Sequence, residues 1–170
     1  GLLLGTSTAT GTIQNDDSST ASVTASSAIK PEGNSGTTAY TFTVTLDQAP
    51  VSSQSVNWAV TGSGTNQASA SDFSGSALPS GTLTFVAGET SKLITVNVLG
   101  DTTVESTEGF TVTLANPSAG LLLGTSTATG TIQNDDNPII LGGPSDDLFN
   151  GRDGNDIIDG DLGSNTLVYT

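Results

Sequence analysis

Apolar and polar residues alternate with a period of two along most of the chain between residues 21 and 132, and no stretch has the period of an amphipathic helix. Glycine, serine, asparagine and proline separate the alternating stretches, as expected for turns between half-buried strands. Seven short antiparallel strands joined by such turns predict an all-β fold, an Ig-like β-sandwich. The predicted inward positions, grouped by strand, are Ala21, Val23 and Ala25; Tyr40, Phe42, Val44 and Leu46; Val56, Trp58 and Val60; Leu83 and Phe85; Ile94, Val96 and Val98; Phe110, Val112 and Leu114; and Leu121, Leu123, Ala128 and Ile132.

A repeated segment divides the chain. Residues 1–17 and 120–136 both read GLLLGTSTATGTIQNDD, and the offset of 119 residues is the size of one all-β domain rather than of a solenoid unit. We therefore expect residues 1–17 to be the last strand of a preceding, near-identical domain, and residues 18–136 to be one complete sandwich. Neighbouring identical domains in the same long chain are the first predicted partners.

The sequence pattern changes after Asp136. Residues 137–141 are assigned to a linker, and three nine-residue units follow the template Gly-Gly-x-Gly-x-Asp-x-apolar-x imperfectly but in register. The units are residues 142–150, 151–159 and 160–168, and their sixth positions are Asp147, Asp156 and Asn165. Because each such unit makes a tight glycine turn and a short strand, residues 142–170 are predicted to form a short parallel β-roll.

Charge and composition narrow the range of functions. The chain has 17 acidic residues against 3 basic ones, so its net charge of −14 repels nucleic acid and anionic lipid, whose recognition needs basic patches. Cysteine and histidine are both absent, which excludes disulfides, a zinc site and a thiol or Ser-His nucleophile. No apolar run reaches membrane-spanning length, so neither nucleic acid nor an inserted membrane segment is expected.

The acidic residues are unevenly distributed over the predicted loops. Because antiparallel strands reverse direction at each turn, the loops after the first, third and fifth predicted strands lie at one end of the sandwich. The segment after the seventh strand leaves at the same end. Seven acids lie in these loops or in this segment, namely Glu32, Asp72, Asp101, Glu105, Glu108, Asp135 and Asp136. Like charges brought together destabilise a fold unless a cation lies among them, and oxygen ligands on loops favour calcium. A solvated acidic rim without an ion is the alternative interpretation.

Residues 18–136 resemble the Calx-β domain, a module of the regulatory loops of sodium–calcium exchangers that also recurs in bacterial surface proteins. The matching stretches are IKPEG, SASDFSGSALPSGTLTFVAGETSKLITVNVLGD, TVESTEGFTVTL and TATGTIQNDD. The resemblance implies that the same seven acids are calcium ligands. Gly100 stands where many members have a second acid, and Asn137 stands where the exchangers have a third, so the resemblance implies fewer ions or weaker binding.

Residues 142–168 resemble the hemolysin-type (RTX) nonapeptide repeats of type I secreted bacterial proteins. In such repeats two units complete one turn of the roll, which places the first and third units above one another. The resemblance implies that Asp147 and Asn165 hold a calcium ion together with turn carbonyls, and that Asp156 lies on the opposite edge. Calcium is therefore the one predicted cofactor of both parts of the chain.

These observations predict a calcium-binding structural module of a long bacterial protein, either secreted or on the cell surface, such as an adhesin or an extracellular fibre. Calcium would stiffen the joints between successive domains. One alternative is a calcium-dependent module that binds a carbohydrate or a protein ligand, which would need exposed aromatic residues, whereas Trp58, Tyr40 and Phe42 are assigned to the core. An enzyme is not expected, although paired carboxylates can serve a glycosidase, because each acid is better explained as a metal ligand.

Residues 1–17 are identical to the last strand of the sandwich, so they are able to occupy its place in another copy. Within one chain the local strand is favoured because a short loop tethers it at high effective concentration. We expect either a monomer with a free N-terminal tail or a concentration-dependent assembly, a swapped dimer or a fibre, through strand exchange. Light scattering on the chain with and without residues 1–17 distinguishes these states. An assembly that persists unchanged after the deletion has another cause.

Overall fold

The fold is known from a computed structural model, which describes residues 1, 5, 8–12, 18–136, 139–141, 148–151, 157–159 and 166–169. Residues 19–133 contain nine strands and one 3₁₀ turn, Ala70–Asp72, joined by loops. The strands are β1 (Ser19–Ser27), β2 (Ile29–Pro31), β3 (Thr37–Leu46), β4 (Gln54–Ser63), β5 (Ser80–Phe85), β6 (Ser91–Leu99), β7 (Glu108–Ala115), β8 (Leu121–Leu123) and β9 (Thr127–Gln133). The described residues form no helix that is long and apolar enough to cross a bilayer.

The nine strands form two sheets. A four-stranded sheet has the order β6-β3-β1-β8, and a five-stranded sheet has the order β2-β9-β7-β4-β5. The inward-facing residues of both sheets form a single buried hydrophobic cluster. The predicted all-β sandwich is therefore confirmed.

The first and last predicted strands differ from the prediction because each is divided between the two sheets. β1 and β8 pair in parallel in one sheet, and β2 and β9 pair in parallel in the other, so the sandwich is not wholly antiparallel. The register of β1 shifts between Ala25 and Ser27, just before the chain crosses over. The chain crosses between the sheets again between β8 and β9. There the N–H of Gly124 donates to the carbonyl of Ala21 on β1, whereas the carbonyl of Ser126 accepts from the N–H of Leu114 on β7. A period of two marks inward positions but does not say which sheet they belong to.

Phe110 on β7 lies at the centre of the core. Its ring meets those of Tyr40, Phe42 and Phe73 edge to face, at centroid distances of 5.8, 5.9 and 5.5 Å. On β9, a Cβ atom at Gly130 would lie 2.3 Å from the Phe110 ring, so any residue larger than glycine would clash with the ring in its present position. Phe73 follows the 3₁₀ turn and was not among the predicted core positions, because it lies in a connection without alternation.

The predicted aromatic core is only partly as expected. Tyr40 and Phe42 are fully buried. Trp58 is half-buried at the β4–β5 pairing, where a Cβ atom at Gly81 would touch its indole ring. The tryptophan packs against the core from its margin rather than filling it.

The C-terminal residues contribute four further strands, β10 (Ile139–Leu141), β11 (Leu148–Gly151), β12 (Ile157–Asp159) and β13 (Thr166–Tyr169). β10 pairs with β12 and β11 with β13, both in parallel, and each pairing joins residues eighteen positions apart. β10 falls within the segment 137–141 that was assigned to a linker. The predicted ligands Asp147, Asp156 and Asn165 lie outside the described residues.

Candidate metal centre

All seven sandwich acids that the sequence singled out lie on segments that meet at one end of the fold, and we call this group the acidic cluster. Each member lies at or just beyond the end of an element. Glu32 follows β2, Asp72 ends the 3₁₀ turn, Asp101 and Glu105 lie between β6 and β7, Glu108 begins β7, and Asp135 and Asp136 follow β9. Interactions among their charges link all seven members.

Three members form the tightest group. Asp72, Glu105 and Glu108 each offer a carboxylate oxygen within 4.8 Å of the other two. Asp72 is oriented by its own turn, because the N–H of Ser69 donates to its Oδ2 at 2.5 Å. The 3₁₀ turn thus directs a carboxylate towards the beginning of β7.

The other four members are Glu32, Asp101, Asp135 and Asp136. Glu32 and the acid pair lie where the segment after β9 meets the connection between β2 and β3, and Asp101 lies shortly after β6. The backbone N–H of Gly33 donates to Oδ1 of Asp135 at 3.0 Å, and Nδ2 of Asn34 donates to Oδ1 of Asp136 at 2.9 Å. Glu32 and Asp136 are the most buried of the four, with 4% and 3% of their surface exposed. Neutral donors therefore hold Asp135 and Asp136 in place.

One atom of the acidic cluster lacks a partner. Oδ2 of Asp136 is buried and makes no hydrogen bond with any of the described residues. A buried carboxylate oxygen without a partner is costly, and such atoms in native proteins commonly belong to an ion or water site. A bound cation would supply the missing partner, so the residues present fit a metal ion.

The cations of the chain do not supply that partner within the described residues. Nζ of Lys92 pairs with Oε1 of Glu89 at 2.8 Å, and Nζ of Lys30 donates to the carbonyl of Ala39 at 2.6 Å. Both lysines are therefore engaged elsewhere.

Burial and mutual repulsion raise the pKa values of several carboxyl groups in the acidic cluster. Burial raises the pKa of Glu32 to about 7, and the charges of Glu105 and Asp101 add to the increase. Burial likewise raises the pKa of Glu108 to about 7, together with its hydrogen bond to the Asp72 carboxyl. The pKa values of one buried carboxyl group, Glu32, and one half-buried group, Glu108, thus lie near neutral pH.

Two acids in loops at the opposite end of the sandwich, Asp47 and Glu89, differ from the acidic cluster. The hydrogen bond from the backbone N–H of Thr20 to Oδ1 of Asp47, 2.6 Å long, lowers the pKa of that carboxyl. The hydrogen bond from Lys92 lowers the pKa of Glu89. Each of these acids has a local partner, whereas Oδ2 of Asp136 in the acidic cluster has none among the described residues.

Comparison with known proteins identifies the family of the domain. A sequence model of the Calx-beta domain matches residues 15–136. The chain belongs to the Calx-beta domain family. A search of the curated proteins returned no match.

Solved structures show the same fold. The apo-form Calx CBD1 domain is 22% identical, with a TM-score of 0.55 over 71% of this chain and 100% of that one. CBD12 from CALX1.2 is 20% identical, with a TM-score of 0.58 over 78% of this chain. CBD12 of CALX1.1, described as a calcium binding domain, is 22% identical, with a TM-score of 0.56 over 76% of this chain. The matched region spans 52% of each CBD12 chain, about half its length.

The structure also explains one departure from the family pattern. A Cβ atom at Gly100 would lie 1.8 Å from the carbonyl oxygen of Gly33, and the N–H of Gly100 donates to the carbonyl of Gly36 at 3.2 Å. The end of β6 therefore packs backbone to backbone against the loop that follows Glu32. No acidic side chain fits at this position of the Calx-beta domain without moving that loop.

Two asparagines of the site were missed by the sequence analysis. Asn34 orients Asp136, and Asn134 contacts both the segment after β9 and the connection between β6 and β7. Neutral amides carry no signal in a search for charged ligands. The position of Asn134 directly before an acid pair was the available clue.

The raised pKa values predict how the stability of the calcium-free Calx-beta domain depends on pH. The folded state holds protons on Glu32 and Glu108 more tightly than the unfolded state does, so the free energy of unfolding falls as pH rises from about 4.5 to about 7. Allowing for solvent screening, we expect a loss of about 1–2 kcal/mol between about pH 5 and about pH 8. Asp47 and Glu89 do not contribute to this pH dependence of the free energy of unfolding, because their pKa values are lowered and they titrate at more acidic pH.

Thermal melting in a chelator, followed by circular dichroism, measures this dependence. The matched control is the double variant Glu32→Gln, Glu108→Gln, whose melting temperature should change less over the same range. A wild-type melting temperature that rises from about pH 5 to about pH 8 would contradict the assignment.

Proposed function

We propose that the Calx-beta domain binds calcium through the acidic cluster, and that it serves as a structural module of a long extracellular protein. The observation that carries the calcium proposal is the buried, unpartnered Oδ2 of Asp136 among six other carboxylates. The role is one of binding and structure rather than catalysis, because every acid of the cluster is accounted for as a ligand.

Two groups of residues would hold the metal. Asp72, Glu105 and Glu108 form one group, and Glu32, Asp101, Asp135 and Asp136 form the other. Calcium accepts six to eight oxygen ligands in loose geometry, which suits carboxylates on loops, whereas magnesium demands a strict octahedron. The bound ion would supply positive charge that offsets the repulsion among the acids.

We extend the proposal to the C-terminal residues, as a β-roll of the hemolysin type. Its support is the parallel pairing of β10 with β12 and of β11 with β13 at an offset of eighteen residues, which is twice the nine-residue unit. Asp147, Asp156 and Asn165 are the proposed ligands there. A roll of this kind favours a secreted or surface-exposed bacterial protein.

The path of the chain favours a site at a domain joint. β9 ends one residue before the acid pair, whereas β1 begins at the other end of the domain. There the N–H of Ser19 donates to the carbonyl of Gly120, and the N–H of Thr20 donates to Asp47. In the sequence, only Ser18 separates Ser19 from Asp17, the copy of Asp136. An extended chain of two residues spans about 7 Å, so the acid pair of a preceding copy lies close to the beginning of the next domain.

The end of the domain at which β1 begins is also suited to contact a preceding domain. Val51 is 77% exposed and Val86 is 59% exposed. Their loops are joined by the hydrogen bond from the N–H of Gly88 to the carbonyl of Pro50, 2.9 Å long. This end combines exposed apolar side chains with acids that already have partners. It is therefore able to approach an acidic cluster once calcium has neutralised that cluster.

Calcium titration by calorimetry tests the metal site. We expect binding in the range of about 10⁻⁴–10⁻³ M, as for extracellular modules, together with a rise in melting temperature. Asp136→Asn should weaken binding at least about tenfold while leaving the calcium-free melting temperature unchanged or higher, because it removes both a ligand and a repelling charge. Asp47→Asn at the opposite end is the matched control and should leave the calcium affinity unchanged. Calcium affinity that is equally insensitive to both variants would refute the site.

A chain with residues 18–136 placed before residues 18–170 reproduces the proposed joint. In small-angle X-ray scattering we expect calcium to convert a flexible pair of domains into an extended rod. Asp136→Asn in the first copy should abolish this effect, since that copy's cluster lies at the joint. The same substitution in the second copy should preserve it. Equal effects in both copies would show that calcium does not act at the joint.

A further inference from the structure

The connection between β6 and β7 and the segment after β9 both carry carboxylates of the acidic cluster, and these carboxylates repel each other. Glu105 is exposed and lies in the connection between β6 and β7, which pairs with no described strand between residues 100 and 107. Asp136 lies in the segment after β9. Repulsion between these carboxylates works against close approach of the two segments, so a neutral contact between them helps to order the calcium-free site.

Asn134 makes that connection with the two ends of one amide. Its Oδ1 accepts a hydrogen bond from the backbone N–H of Glu105 at 3.0 Å, and its Nδ2 donates to the backbone carbonyl of Asp136 at 2.8 Å. An asparagine side chain has one acceptor and two donors and no charge, so it bridges two backbones without adding repulsion. Each bond ends on a residue that belongs to a different group of the cluster.

The neighbours of Asn134 show why the position of this link matters. Asp135 and Asp136 are bonded to Gly33 and Asn34, so the segment 134–136 already fixes the loop after β2. Asn134 adds the β6–β7 connection to the same segment. The charge of Glu105 acts on Glu32 and on Asp72, so its placement affects both groups.

We propose that Asn134 is a positioning residue of the calcium site, which couples the two groups of carboxylates by tying Glu105 to Asp136 before an ion binds. This inference rests on the proposed function, since it takes the acidic cluster to be a calcium site. Asn134 itself touches no ion in this role and acts through the two backbones. Groups that orient metal ligands commonly contribute 10–100-fold in affinity.

The first test is calcium titration of the full chain by calorimetry. Asn134→Ala should weaken binding to the sandwich about tenfold or more, because the two groups are no longer held together. Gln133→Ala is the matched control, since it removes a neighbouring exposed amide side chain from the same strand end and should leave the affinity unchanged. The C-terminal units are identical in all variants, so any calcium they bind cancels in the comparison.

The second test measures the link itself in calcium-free protein. Hydrogen exchange of the Glu105 amide, followed by nuclear magnetic resonance, should become several-fold faster in Asn134→Ala and stay unchanged in Gln133→Ala. Asn134→Asp keeps the acceptor for this amide but loses the donor to Asp136. It should therefore retain the protection at Glu105.

The outcomes separate this inference from the proposed function. If the wild-type chain binds no calcium, the proposed function is wrong and the coupling role is wrong with it. If the wild type binds calcium and Asn134→Ala binds it with the same affinity, only the coupling role is wrong. Unchanged protection of the Glu105 amide in Asn134→Ala overturns the link directly, whatever the calcium affinity.

Discussion

Electrostatic repulsion among seven carboxylates at one end of the sandwich is the constraint around which the rest of the domain is arranged. The apolar core lies between the sheets and centres on Phe110, so the stability of the fold does not require the acids to be neutral. The cluster instead stores unfavourable charge, visible in the raised pKa values of Glu32 and Glu108 and in the unpartnered oxygen of Asp136. In the proposed role, a bound divalent cation would turn that cost into a source of stability, because the repulsion would become attraction to a shared ion.

Uncharged groups hold the acids together in the calcium-free domain. Backbone N–H groups and two asparagine amides place the carboxylates, and Gly100 allows one loop to pack directly on another. A lysine or arginine among the acids would relieve the repulsion but would also compete with calcium. The described lysines instead lie elsewhere, with Lys92 paired to Glu89.

The division of the first and last strands between the two sheets connects the fold to its proposed role. β9 is placed between β2 and β7, so the acid pair that follows it emerges beside the loop after β2 and the beginning of β7. β8 pairs with β1 at the other end of the domain. In the proposed array the same chain segment thus completes the core of one domain, supplies ligands to its site and leads into the next domain.

Sequence alone determined the all-β class, the inward positions of most strands, the gathering of seven acids at one end and the family. These features follow from local periodicity, from the reversal of antiparallel strands and from sequence motifs. All three can be recognised without knowledge of the packing. Tertiary structure alone decided the crossing of two strands between sheets, the core position of Phe73, the half-buried state of Trp58 and the bridge made by Asn134. Each of these depends on contacts between residues far apart in the chain, which no local pattern of apolar and polar residues encodes.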